Sequence, residues 1–149
     1  MRYLIKSLSI ILLLVLSSSF RVKYPNITHT ISIKIENIRN TKGTMQLQLY
    51  QSQKAFAAET PYKTIRISKE NVSDNTLYYK IKGLAQNTYG VALLDDENNN
   101  KEMDYGLFFP VEGFGFSDYY HTGWSKPTFH DFKFFLKKDK TVRMKVRYM

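Results

Sequence analysis

Ile31, Ile33 and Ile35 alternate with Ser32, Lys34 and Glu36, and this period of two recurs along the chain. Met45, Leu47 and Leu49 are separated by Gln46 and Gln48, and Val142, Met144, Val146 and Tyr148 by Arg143, Lys145 and Arg147. Successive side chains of a strand point to opposite faces, so each run buries one face and leaves the other polar. Helical periodicity is nearly absent. Strands are expected at 31–36, 45–49, 62–67, 77–81, 89–94, 128–136 and 141–148, with one or two helical turns within the alanine-bearing stretch 51–59. The turn at Asn40, Thr41, Lys42 and Gly43 reads as the tip of a hairpin joining the first two strands, and Lys138, Asp139 and Lys140 as the tip of a last hairpin. About seven short strands argue for an all-β fold, a single antiparallel β-sandwich.

The amino terminus reads as an address. Arg2 and Lys6 precede an apolar run at 8–16, and Ser17 to Ser19 supply small residues for cleavage. A run of nine residues falls short of the roughly 20 that a spanning helix needs, so the reading is a signal peptide at 1–19 ahead of one domain at 20–149. A retained membrane anchor is the competing reading. The chain has no cysteine, which excludes disulfides, thiol catalysis, cysteine-ligated metal and a lipid-modified cysteine. A secreted or periplasmic location in a bacterial envelope fits this best, with no stable membrane span after leader removal and no nucleic-acid partner.

Against a net charge of +9, five of the 13 acidic residues crowd into ten positions: Asp95, Asp96, Glu97, Glu102 and Asp104. Asn98, Asn99 and Asn100 fill the middle. Counted from Asp96, oxygen-bearing side chains fall at positions 1, 3, 5 and 9, the start of a loop suited to Ca²⁺. Lys101 occupies the place of the usual glycine and Leu107 that of the closing glutamate, so Glu112 is the candidate to complete the shell. The competing reading is a solvated turn whose Asn and Asp side chains bond their own backbone. The acidic loop opens a long irregular stretch, 95–127, rich in glycine and aromatic residues. Such a stretch is expected to be functional and to fold down over one end of the sandwich.

The order of a Lys42-Gly43 turn, Gly83-Leu84 with Tyr89, the acidic Asn-rich loop and Pro110-Val111-Glu112-Gly113-Phe114-Gly115-Phe116-Ser117 resembles the secreted bacterial proteins of the domain of unknown function 2141 family. The resemblance implies an exported single domain, an immunoglobulin-like or transthyretin-like sandwich, and no assigned activity. In that family the acidic loop carries a histidine where this chain has Asp95 and a glycine where it has Lys101.

Among the aromatics, Tyr119, Tyr120 and Trp124 sit with Ser117, Asp118, His121 and Gly123, a setting suited to stacking on sugar rings. Phe108, Phe109, Phe132, Phe134 and Phe135 are expected to serve packing. His29, His121 and His130 fall in no nucleophile or metal motif, and His130 and Asp131, adjacent in an expected strand, point to opposite faces. No catalytic residue is assigned. The leading expectation is a non-enzymatic module that binds a ligand or envelope partner through the 96–124 loop, organised by Ca²⁺ if the loop holds one. The alternatives are a glycan-binding module using the exposed aromatics, or an enzyme of unknown class, for which Glu112 with Asp96 or Asp104 offers paired carboxylates. The basic carboxy-terminal region reads as a solvated sheet face, with attraction to anionic lipid or polysaccharide as the competing reading.

Overall fold

The computed structural model describes residues 27–149; the leader expected at 1–19 lies outside them. In chain order the elements are β1 (Thr28–Glu36), β2 (Thr44–Tyr50), α1 (Gln53–Ala57), β3 (Lys63–Ser68), β4 (Leu77–Ala85) and β5 (Asn87–Asp96). They are followed by β6 (Gly113–Phe116), α2 (Phe129–Phe132), β7 (Phe134–Leu136) and β8 (Lys140–Lys145). A three-stranded sheet, β4-β1-β8, faces a five-stranded sheet in which β3-β2-β5-β6 run side by side and β7 also pairs with β5. The fold is a mostly antiparallel sandwich, as the alternation requires.

Both expected hairpins are absent. β1 pairs with β4 and β8, while β2 pairs with β3 and β5 in the other sheet. The link between β1 and β2 crosses the sandwich instead, and buries Ile38 on the way. Likewise β7 joins the large sheet, and β8 runs parallel to β1 with Ile33 opposite Val142 and Ile35 opposite Met144. Alternation specifies which face of a strand is buried and is indifferent to the direction of its neighbour. β6, four residues of Gly-Phe-Gly-Phe inside the stretch expected to be irregular, is an eighth strand paired with β5.

The segment at 129–132 is a helix turn, not strand. Thr128 and Asp131 form a reciprocal capping box, and Phe129 and Phe132, three apart, bury together. They rest on Gly90, where a Cβ would stand 2.6 Å from Phe132 Cε2 and 2.8 Å from Phe129 Cε2. At α1, Ser52 caps the helix by accepting the Ala55 N–H at 3.1 Å.

Two cores result. Between the sheets lie Ile31, Ile33, Ile35, Leu47, Leu49, Val91, Leu93, Val142 and Met144 among others. On the outer face of the large sheet, Tyr50, Phe56, Phe116, Phe129 and Phe132 form an aromatic cluster, with Phe56 and Phe132 centroids 5.0 Å apart and nearly perpendicular. Burial pushes the Tyr50 phenol up to about 12.

One end of the sandwich is closed by a polar lock. Lys69, just past β3, and Asp95 of β5 are both fully enclosed and lie 2.5 Å apart. The other Asp95 oxygen accepts the Tyr148 hydroxyl at 2.5 Å, and Tyr148 in turn accepts the Arg39 N–H at 3.1 Å. Burial pushes the Asp95 carboxyl up, and its bonds from Lys69 and Tyr148 oppose that. Burial and the adjacent carboxylate push Tyr148 well above the ordinary phenol range.

Removing one partner strands the other charge. Lys69→Met and Asp95→Leu should each destabilise the domain by about 3–5 kcal/mol in denaturant unfolding. The double variant should recover most of that loss. Additive losses would mean that the two groups are not coupled.

Candidate functional site

β5 delivers Asp96 to the mouth of the acidic loop, and the close approach of the β1–β2 link holds it there. Gly43, at φ +67°, lies so near that a Cβ would stand 1.9 Å from the Asp96 carbonyl oxygen. Asp96 is buried, and its Oδ2 accepts the Lys101 N–H at 3.0 Å. Asn98 Oδ1 accepts from Asn100 N and Asn100 Oδ1 from Glu102 N, both at 2.9 Å. Asp104 receives the side-chain amides of Asn98 and Asn100 at 2.5 and 2.8 Å. Glu112 crosses from the strand side and accepts Glu97 N at 2.9 Å and Asp104 N at 3.2 Å. The loop thus gathers Asp96, Asn98, Asn100, Asp104 and Glu112. Lys101 takes the left-handed conformation, φ +75°, at the position where the resemblance puts glycine.

The acids of this cluster divide by partner. Asp95 is paired with Lys69, and Glu97 with Arg39 at 2.6 Å, a contact that holds the Glu97 carboxyl below its usual range. Among the described residues Asp96, Asp104 and Glu112 form no ion pair. Burial raises the Glu112 carboxyl, the two backbone N–H bonds oppose it, and Asp104 and Asp96 add repulsion. Three buried oxygens here lack a partner in the protein: Thr44 Oγ1, Gln46 Oε1 and Asp96 Oδ1. Thr44 lies directly across from Asp96 in the β2–β5 ladder, and the Gln46 amide points toward the Lys101 carbonyl at 3.5 Å. No three His, Cys, Asp or Glu residues among those described stand at metal-binding spacing, so any ion here leans on neutral oxygens.

Above this end the 96–124 segment folds back across the outer face of the large sheet and leaves a groove of about 610 Å³. Gln46, Gln48, Ala92 and Leu94 lie along its floor strands, and Phe109, Phe114, His121 and Trp124 line the returning segment. The Phe109 and Trp124 rings stand 5.0 Å apart. Arg147 pins this segment by donating to the carbonyls of His121 and Gly123, each at 2.9 Å.

The expected aromatic trio does not meet in one place. Trp124 lines the groove, whereas Tyr119 and Tyr120 line a separate hollow with Arg143 and Lys145. Phe108 and Phe135, expected in packing, are 79% and 55% exposed. Phe132 is buried, as expected. His121 lines the groove, and Glu112 is not among the groove's residues. His130 belongs to α2 and lies 2.8 Å from Lys133, while Asp131 caps that helix. Sequence reading missed Thr44, Gln46 and Gln48, which looked like the solvent face of a strand. The signal for them was the aromatic Tyr50 next on the same face, which needs cover of its own.

No curated protein and no solved structure matches this chain. Residues 33–144, which include the acidic loop and both walls of the groove, match the family described as an uncharacterized protein conserved in bacteria (DUF2141), and the chain belongs to that family.

Proposed function

We propose that this chain is an exported, non-enzymatic binding module that takes a glycan in the groove beneath the 96–124 segment. The observation that carries this reading is the groove's make-up. Trp124, 78% exposed, stands beside Phe109 over a floor bearing the Gln46 and Gln48 amides. A sugar offers an apolar ring face to such side chains and hydroxyl edges to amides. Leu107, Phe108 and Tyr105 extend the exposed apolar surface beside it, which marks a recognition site more than a plain solvent face.

Trp124 is the sole tryptophan, so its fluorescence reports on the groove alone. Titration with a panel of neutral oligosaccharides should shift that emission in a saturable way, and Gln48→Ala should weaken the response by about tenfold, the loss of one hydrogen bond to a bound ligand. A response to long-chain fatty acids and to no sugar would replace the glycan with a lipid. Export rests on the leader at 1–19; N-terminal sequencing of protein from its native host should begin near Phe20, and intact Met1 in the membrane fraction would make the leader an anchor.

A second reading has its own support: Ca²⁺ organises the loop. Among the described residues Asp96, Asp104 and Glu112 form no ion pair, Asp104 and Asp96 lie within repulsive reach of Glu112, and Asp96 Oδ1 is buried without a hydrogen-bond partner in the protein. Bringing carboxylates together without a cation is repulsive, so binding should stabilise the domain by roughly 2.7 kcal/mol at a hundredfold excess over Kd. Lys101 adds a positive charge and left-handed strain, which places the affinity in the roughly 10⁻⁴–10⁻³ M range of extracellular modules. Lys101→Gly should tighten binding and Asp96→Asn should abolish it, read as calcium-dependent melting. Melting temperatures indifferent to millimolar calcium in both the natural chain and Lys101→Gly would leave a self-bonded turn.

A further inference from the structure

We propose that the outer face of the three-stranded sheet is a second binding surface, for an anionic polysaccharide. Its pairing register spreads cations over all three strands on one face. Lys34 of β1 has Tyr78 of β4 on one side and Arg143 of β8 on the other. One step along, Ser32 lies between Lys80 and Thr141, and Glu36 lies beside Lys145. Lys82 continues the exposed side of β4. Residues paired across a sheet project to the same side, which gathers these charges on one face.

Neutralisation on this face is partial: Glu36 and Asp118 line one hollow with Arg143 and Lys145. Lys34 is paired with Glu36, and among the described residues Lys80, Lys82, Arg143 and Lys145 are in no ion pair. Lys34 and Arg143 are direct cross-strand partners, about 4.8 Å of strand spacing apart, so their charges repel and gain by sharing a polyanion. Tyr78 is 71% exposed on this face, and Tyr120 lies against Lys145, whose Nζ is 5.0 Å from the ring centroid. Flat rings with polar tips among cations suit sugar units that carry acidic groups.

The alternatives fit less well. Membrane docking adds protruding apolar side chains to a basic patch, and here Phe108, Phe109 and Trp124 lie with the groove on the opposite sheet. Duplex DNA is usually read by a helix or ribbon inserted in a groove, and the described helices have five and four residues.

The test is binding of polygalacturonate at low and physiological salt, with dextran as the uncharged control. Saturable binding that weakens as salt rises is expected, with none to dextran. Lys80→Glu with Arg143→Glu should weaken it by roughly tenfold or more, since like charges then face the polymer. Lys54→Glu in α1 with Arg66→Glu in β3 makes the same change in net charge at exposed positions away from this face and should leave it intact. Circular dichroism and an unchanged Trp124 response verify folding of both variants, and keep this test separate from the groove's. Equal loss in the two variants would reduce the effect to net charge and overturn the proposal. So would an absence of polygalacturonate binding, or tighter binding of phosphatidylglycerol vesicles or duplex DNA through the same face.

Discussion

The enclosed contact between Lys69 and Asp95 is the constraint on which the functional end of the molecule depends. It joins the end of β3 to the end of β5, and Tyr148 brings the carboxy terminus onto the same carboxylate. Arg39 stacks on Tyr148 at 4.3 Å and pairs with Glu97, which ties in the β1–β2 link as well. A buried ammonium is tolerated only beside a charge of opposite sign, and a buried carboxylate likewise. The pair therefore permits one arrangement of these segments, and that arrangement sets where the next residue, Asp96, enters its loop. The histidine that the resemblance puts at position 95 could not neutralise Lys69. Aspartate here thus belongs to the lock rather than to the loop.

The large sheet works on both faces. Its inner side closes the main core, and its outer side carries a second, aromatic core at one end and the groove beside it. Gly90 makes the difference: with no side chain there, Phe129 and Phe132 settle directly on the strand. The aromatic cluster then gives the returning 96–124 segment a surface to lie against. A segment held at one end by buried Asp96, in its middle by the pairing of β6 with β5, and at its far end by Arg147 can keep exposed rings in place without being part of the core.

The small sheet presents the opposite character. Its outer face is basic, and among the described residues Lys80, Lys82, Arg143 and Lys145 there form no ion pair. Two surfaces of unlike chemistry, separated by the thickness of a sandwich, do not compete for space.

Period-two alternation at Ile31, Leu47 and Val142 was enough to determine an all-β sandwich and which residues close its core, because burial of one strand face is written into neighbouring residues. The acidic loop was legible too, since its Asn and Asp spacing encodes local contacts within a few residues of chain. Strand direction and partnership were not: β8 beside β1, and the crossing from β1 to β2, depend on contacts between residues over a hundred positions apart or on opposite sheets, and reversing a strand leaves its alternation unchanged. The helix at Phe129–Phe132 was hidden for a related reason, because its i, i+3 pair has meaning only over Gly90. Gln46 and Gln48 read as solvent-facing, and only the fold-back of a distant segment made them the floor of a groove. Local periodicity decides what each strand buries; only tertiary packing decides what covers the face left over.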